Sequence, residues 1–534
     1  MDESEKTTPK GCSRREALKL STLALGGLAM GGRMLGAGGI RDTDPCPAVP
    51  ACYPDTVDSN QAYSYFFGGN GQPGVQTYNP LDATDPNTPI QPNEMRIVFL
   101  GSCIPPNRRA QMEMSIYVEV GTGGGTAGIG DSFVFDCGSG VCVNYGAMGI
   151  PYSKMNKVFI THLHGDHMSD LTHIYCFGAA ADRKKPLYVW GPSRSGVKNP
   201  KAPPETYEDG HNDMCKAYRK AWRWHSESMS FIQTKDPNYV PPTKKTWGLP
   251  CDPVPLEGDS PRDGYALVPI QLDWTKRGKH TDDNVAYHNK DTGVKITHFP
   301  VIHCRQGSIG YKLEWNGMSM IYTSDTKPEV NSIDQAINGG RGVDVFIHEM
   351  VVPPDVWAFK QMGLTQPPDQ QTQPELYAQW QQGTEMAKTV QDSSHTPQGA
   401  FAYLLTQINP HPRLTVATHF PVEDDTWACA KNSLLDKCPW IVVDPQVGNM
   451  VWSFDLMTLR VMPGTGLIKQ LRGVVSDYGF GAPGQSPSPL DPAKYHNNDA
   501  TKSDDPTKQL DQTQHDTWIP PSDGNICHYR EDGY

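Results

Sequence analysis

No CxxC pair occurs anywhere in the 534 residues, and no long run of Lys and Arg appears beyond the first 35. The first absence argues against a thiolate zinc site, which draws on closely spaced Cys pairs. The second, with a formal charge of -12 spread along the chain, argues against a broad grip on a nucleic-acid backbone. Such binding depends on clustered cations that release counterions. The Gly-rich segment Gly121 to Gly125 has no Lys-Ser/Thr after it, so it reads as a hairpin turn and not as a phosphate cradle. A membrane anchor is not expected in the mature chain either. The N-terminal apolar stretch, Leu20 to Met30, is too short and too Gly-rich for a span of roughly 20 apolar residues.

What is present describes a folded protein with much loop. Hydrophobic residues make up 37%, charged residues 20%, and there are 12 Trp alongside 51 Gly and 47 Pro. The N-terminus reads as an address: Ser13, Arg14, Arg15, Glu16, Ala17, Leu18, Lys19 has the order of a twin-arginine signal. Small residues around Leu35 to Ala37 offer a cleavage site, making 1–37 a removable signal. The expectation is recognition by the twin-arginine translocation machinery and release to the periplasm or beyond. Of the 13 Cys, Cys12 leaves with the signal, and the other twelve are read as structural. Close pairs such as Cys46 with Cys52 and Cys429 with Cys438 are the best candidates for disulfides in an oxidising compartment.

Residues 38–93 are rich in Pro, Asp, Asn and Gly and read as an irregular extension. A main domain is expected over 94–460, with strands near Arg96–Leu100, Ser115–Val120, Ser132–Phe135, Lys157–Thr161, Leu187–Trp190, Val294–Phe299, Ser308–Glu314, Ser319–Thr323, Val343–His348 and Leu414–Thr418. Helices suit Leu171–Ala181 and Thr396–Gln407. The stretch 193–290 shows little strand signal and reads as an insertion. Within it Met214, Tyr218 and Trp222 recur at helical spacing among Lys216, Arg219, Lys220 and Arg223. That pattern fits an amphipathic helix packing its aromatics inward better than a basic surface for an anion. The final segment, 461–534, becomes a Pro/Asp-rich tail.

The chemistry concentrates in His162, Leu163, His164, Gly165, Asp166, His167, which follows an apolar strand and precedes a helix. A loop can turn the first two imidazoles toward one ion and the Asp-His pair toward a second. One loop cannot complete two coordination spheres. His303, Asp325 and His419, each on the C-terminal side of an apolar run, are the natural complements.

At this point the chain resembles the metallo-beta-lactamase superfamily, and within it the ribonuclease Z and arylsulfatase-like branch. The likeness rests on FLGSCIPPNRRA, FVFDCGSG (133–140), VFITHLHGDHMSDL (158–171), GYKLE, YTSDTKP (322–328), VFIHEM (345–350), SSHTP (393–397) and ATHF (417–420). It implies an α/β fold, the four-layer αββα sandwich, with metals at one edge. Carried over residue by residue, it puts one ion on His162, His164 and His303. The other falls to Asp166, His167 and His419, with Asp325 bridging. The implied cofactor is a pair of Zn²⁺ ions, with Mn²⁺ or Fe as alternatives. His348-Glu349 and His395 resemble paired motifs that place a Glu and a His near the leaving group. His395 would be the general acid, Glu349 its orienting base, and Asp166 would orient or accept a proton from the nucleophile. An acidic bridge and the absence of a Cys ligand place lactam hydrolysis below phosphodiester or sulfate ester hydrolysis.

The resulting expectation is an exported, binuclear metal-dependent hydrolase whose metal-activated water attacks a small anionic phosphodiester or sulfate ester, with no nucleic-acid partner. A carboxylic ester, lactone or lactam hydrolase on the same metals is the rival enzyme. A catalytically silent envelope metal-binding protein is the rival of another class. The sequence does not determine the oligomeric state; a dimer is compatible with it. Arg108, Arg109, Arg305 and Lys327 lie beside motif segments, each reading as a surface charge before an anion contact.

Overall fold

Short, near-continuous apolar segments, many of them buried on both faces, build two sheets. The computed structural model describes residues 76–78 and 90–473, apart from 107, 109–110, 123–127, 230–233, 279–281, 422–426, 444–447 and 465–467. In chain order the strands are β1 (Gln76–Tyr78), β2 (Met95–Gly101), β3 (Ser115–Gly121), β4 (Ile129–Phe135), β5 (Lys157–Phe159), β6 (Leu187–Pro192) and β7 (Leu267–Leu272). There follow β8 (Val285–Asn289), β9 (Val294–Pro300), β10 (Ile309–Trp315), β11 (Met318–Tyr322), β12 (Val345–Glu349), β13 (Leu414–Thr418) and β14 (Met450–Trp452). Last come β15 (Met457–Val461) and β16 (Lys469–Gly473). One sheet runs β1-β16-β15-β2-β3-β4-β5-β6-β7 and the other β14-β13-β12-β11-β10-β9-β8.

The helices are α1 (Val141–Ala147), α2 (Gly165–Met168), α3 (Leu171–Ala181), α4 (His211–Ala221), α5 (Arg223–Ser228) and α6 (Lys244–Trp247). Then come α7 (Val330–Ile337), α8 (Pro354–Gln361), α9 (Pro374–Ser394), α10 (Gln398–Thr406) and α11 (Trp427–Lys437). Alternate strand residues face opposite ways. Ile97, Phe99, Ile116, Val118, Phe135 and Trp190 therefore meet Ile296, Tyr311, Leu313 and Tyr322 of the other sheet in the central core. Their neighbours Val98, Leu100, Tyr117, Val134 and Val189 pack outward on Val141, Ile174, Tyr175 and Cys215 of α1, α3 and α4. Residues of α7, α10 and α11 cover the second sheet. The expected four-layer αββα arrangement is the one observed.

Several expectations are corrected. Residues 193–290 contain strands after all: β7 and β8 stand at the free edges of the two sheets. Edge strands need satisfy only one neighbour, so β7 tolerates Pro269 and both segments look unlike strands in sequence. Cys438 is a buried free thiol that donates to the Ala402 carbonyl. It lies just past α11, which begins at Trp427. Nine residues along a helix span ~13 Å, too far to pair Cys438 with Cys429. Met214, Tyr218 and Trp222 do pack inward, and Arg219 is buried in a pair with Asp259 at 3.0 Å. The twin-arginine segment, Cys46, Cys52 and the tail beyond 473 lie outside the described residues. Among the described residues no helix is long and apolar enough to cross a membrane.

A polar clamp ties the sheets together. Asp131 of β4 takes the Lys157 ammonium at 2.7 Å, the Tyr287 hydroxyl of β8 at 2.6 Å and the Thr292 hydroxyl at 3.2 Å. Asp131→Ala would strand a buried ammonium. It should lower the free energy of unfolding by ~3 kcal/mol or more, whereas Tyr287→Phe, which spares the ion pair, should cost about 1.5 kcal/mol. Denaturant titration of both variants checks the ranking.

Candidate metal centre

Strands β4, β5, β11, β12 and β13 each end at one rim, where the backbone leaves the sheet and side chains can converge. Asp136 follows β4, the His162–His167 loop follows β5, Asp325 comes three residues after β11, Glu349 ends β12 and His419 follows β13. His303 follows β9, and His395 caps the C-terminus of α9. Three non-glycine residues of this rim hold left-handed backbone, Asp136 (φ 55°), Ser324 (φ 58°) and His419 (φ 57°). Such strain persists only where surrounding structure over-determines it.

All seven residues expected as metal ligands come together. Ligand atoms of His162, His164 and His303 lie within 4.8 Å of one another, as do those of Asp166, His167, Asp325 and His419. Asp325 sits between the groups: one oxygen is 3.3 Å from His167 Nε2, and the other is 3.5 Å from His419 Nε2 and 3.8 Å from His303 Nε2. His419 Nε2 is also 3.3 Å from Asp166. His164 Nδ1 and His303 Nε2 approach to 3.1 Å. His162 Nε2, His167 Nε2 and Asp325 Oδ1 are buried polar atoms without a hydrogen-bond partner. Buried polar atoms are ordinarily satisfied. Orphaned imidazole nitrogens and a carboxylate oxygen, distributed over the two ligand groups, are donors suited to divalent cations, so the residues fit the metal pair.

The two groups differ in charge. Burial holds His162, His164 and His303 below the usual histidine range, His303 to about 4, so all three are neutral near pH 7. For His167 and His419 burial acts the same way but is outweighed by Asp325 and Asp166. His419 is raised to about 10. Both carboxylates are in turn held below the ordinary range, despite burial, by the neighbouring imidazoles. A cation displaces these protons when it binds.

Behind the ligands stands a residue to which sequence reading assigned no role. Fully buried Asp136 accepts from His167 Nδ1 at 2.8 Å, the Tyr322 hydroxyl at 2.9 Å, and the Thr161 amide and hydroxyl, both at 2.8 Å. It leaves His167 Nε2 facing the site. Its signals in the sequence are an acid directly after a buried strand and its place within FVFDCGSG (133–140). Glu349, fully buried, accepts from His395 Nδ1 at 2.8 Å and lies 3.6 Å from His419 Nδ1. It also accepts from the Thr326 amide. His348 turns away, packing on Phe346 and Phe401. Of the cations beside the motifs, Arg305 is paired with Asp209 and Arg108 donates to the Cys103 thiol; Arg109 lies outside the described residues. Asp136→Asn, which removes the charge that orients His167, should weaken metal affinity ~10–100-fold. Competition with a chromophoric chelator measures it, and an unchanged affinity would deny Asp136 this role.

No family model matches the chain. Ribonuclease Z of Treponema denticola is 37% identical over 65 residues, 12% of this chain and 21% of that protein. Ribonuclease BN of Proteus mirabilis is 23% identical over 234 residues, 42% of this chain and 68% of that protein. Among solved structures, the metallo-beta-lactamase fold protein YhfI from Bacillus subtilis aligns with a TM-score of 0.39 at 12% identity, covering 69% of this chain and 100% of that one. The two-sheet αββα architecture thus accompanies sequence similarity to ribonucleases Z and BN, of whose lengths this chain covers 21% and 68% in the two cases.

Proposed function

We propose that this protein is an exported, binuclear metal-dependent phosphodiester hydrolase acting on small substrates. The observation that carries the reading is the position of His395. A ring nitrogen of His395 lies within 4.8 Å of ligand atoms of His303 and Asp325, and a ring nitrogen of His395 lies within 4.8 Å of ligand atoms of Glu349 and His419. An acid-base pair thus stands over both ligand groups. The homologues' names, ribonuclease Z and ribonuclease BN, favour phosphodiesters over sulfate or carboxylic esters. Export rests on the Ser13–Lys19 signal sequence. Small size of the substrate rests on the absence of a long Lys/Arg run beyond residue 35.

The bound metal pair, zinc or another divalent ion, would supply Lewis-acid charge and an activated water. The chain's residues do the rest. Asp166, ionised and 3.3 Å from His419, orients the nucleophile's proton. Glu349 fixes the His395 tautomer through Nδ1, leaving Nε2 to protonate the departing oxygen; the side chain is 17% exposed, so substrate can reach it. Burial opposes the His395 charge, but the Glu349 carboxylate prevails and raises its pKa above the ordinary value. An acid so tuned keeps its proton to higher pH than a free imidazole does.

His164→Ala should abolish metal-dependent turnover. His395→Ala should keep the metal and lose ~10²–10⁴-fold in kcat. Because His395 must be protonated, kcat should fall as pH rises through its raised pKa. Glu349→Gln should move that alkaline limb to lower pH. Assays with p-nitrophenyl phosphodiester, sulfate and carboxylate esters in parallel, plus metal analysis, check these outcomes. Preference for sulfate or carboxylate would overturn the substrate class, and full activity of His395→Ala would overturn its role.

A further inference from the structure

His419 is the one expected ligand whose own backbone is strained, at φ 57°, and Phe420, the residue that follows it, is held by a buried polar network outside the ligand set. The Phe420 N–H donates to the Ser102 carbonyl at 3.3 Å. Its carbonyl accepts from Gln111 Nε2 at 2.8 Å. That same amide nitrogen donates to Ser102 Oγ at 2.9 Å, and Ser102 Oγ donates to Asp455 Oδ1 at 2.9 Å. The other Asp455 oxygen accepts from the Met112 N–H at 2.7 Å and from Asn144 Nδ2 at 2.8 Å. Ser102 and Gln111 are fully buried and Asp455 is 8% exposed.

Burying a glutamine and a carboxylate away from water is costly unless each polar atom is matched, and here the matches converge on the Phe420 peptide. The residues come from four separate places: the loop after β2, α1, the turn before β15 and the segment after β13. Local folding does not require them to meet. On the other side of His419, the Thr418 carbonyl accepts from the Met350 N–H at 2.9 Å and the Thr418 hydroxyl from Ser453 Oγ at 2.8 Å. Both peptides flanking the strained residue are thereby held, and the imidazole lies with Nε2 3.3 Å from Asp166 and 3.5 Å from Asp325 and with Nδ1 3.6 Å from Glu349.

We propose that Gln111, braced by Ser102 and Asp455, is a positioning residue that holds His419 in its left-handed conformation and so sets occupancy of the Asp166/His167/Asp325/His419 metal position independently of the His162/His164/His303 position. The inference rests on the binuclear reading above. Gln111 touches neither substrate nor metal; it acts through the Phe420 carbonyl.

Gln111→Met conserves length and removes the donor. The full-length protein, loaded with Zn²⁺ and dialysed against graded chelator, is analysed for bound zinc per chain. Wild type should retain two ions; the variant should retain one at chelator strengths where wild type keeps both, a shift of ~10–100-fold for the second ion alone. Asp455→Asn, which sets an amide among hydrogen-bond donors, should shift the second ion in the same direction. Circular dichroism of the metal-free proteins identifies a variant that fails to fold, and Asp455→Asn or Gln111→Glu, which also lacks the N–H donor, then carries the test. Loss of both ions in parallel, or of neither, in a folded variant overturns the positioning role. A wild-type chain that never holds two ions overturns the binuclear reading instead.

Discussion

Four carboxylates, Asp136, Asp166, Asp325 and Glu349, are gathered at one poorly solvated rim, and the rest of the site is arranged so that this is tolerable. An uncompensated buried carboxylate is prohibitively expensive. Each of these is met by imidazoles: Asp136 by His167, Asp166 and Asp325 by His167 and His419, Glu349 by His395 and His419. The compensation also explains the split in histidine character. Imidazoles beside acids are pulled toward the charged form, while His162 and His303, with fewer acidic neighbours, are driven neutral by burial. A site whose carboxylates must be neutralised by protons or by cations is prepared for divalent metal.

The sandwich makes this concentration of charge structurally affordable. Parallel strands of two sheets end at one edge, so groups from distant parts of the chain reach a common space without any long loop having to order itself. The ligands stand on the ends of rigid strands, packed from below by stacked aromatics such as Phe159 and Trp190, 4.3 Å apart at the ring centroids. Strain at Asp136, Ser324 and His419 is the local cost of turning side chains off the strand ends into the site. Outer supports are correspondingly polar: Tyr322, Thr161 and Ser324 beneath the His loop, and Gln111 and Asp455 behind His419. The helical pair α8 and α9 leaves the rim after Glu349 and returns at His395, so an excursion of 45 residues rejoins its own starting point through one hydrogen bond.

The segments most legible in the sequence are those where chemistry and periodicity coincide. The His162–His167 loop announced itself because three imidazoles and a carboxylate in six residues have no other common use. Helix Leu171–Ala181 and strand Leu414–Thr418 matched the expected boundaries because each is an apolar run between clear breakers. Reading failed where a segment's conformation is imposed from outside. Strand β7 takes its structure from β6 alone, and the 21-residue α9, with little apolar stripe, packs against α8. Cys429 and Cys438 look like neighbours on paper, yet a helix holds them apart.

By itself, then, the sequence determined which residues are candidate metal ligands and the strand-and-turn pattern that brings each to a strand end. Residue type alone dictates which atoms can hold a cation, and strand periodicity is local. Only the tertiary structure decided which nitrogen of each imidazole faces the site, that Asp325 lies between the two groups, that Glu349 serves both His395 and His419, and that Asp136 and Gln111 stand behind the ligands. Those facts depend on register between strands far apart in the chain and on left-handed backbone at non-glycine residues. Neither property is carried by any short stretch of residues; both come from the packing of two sheets.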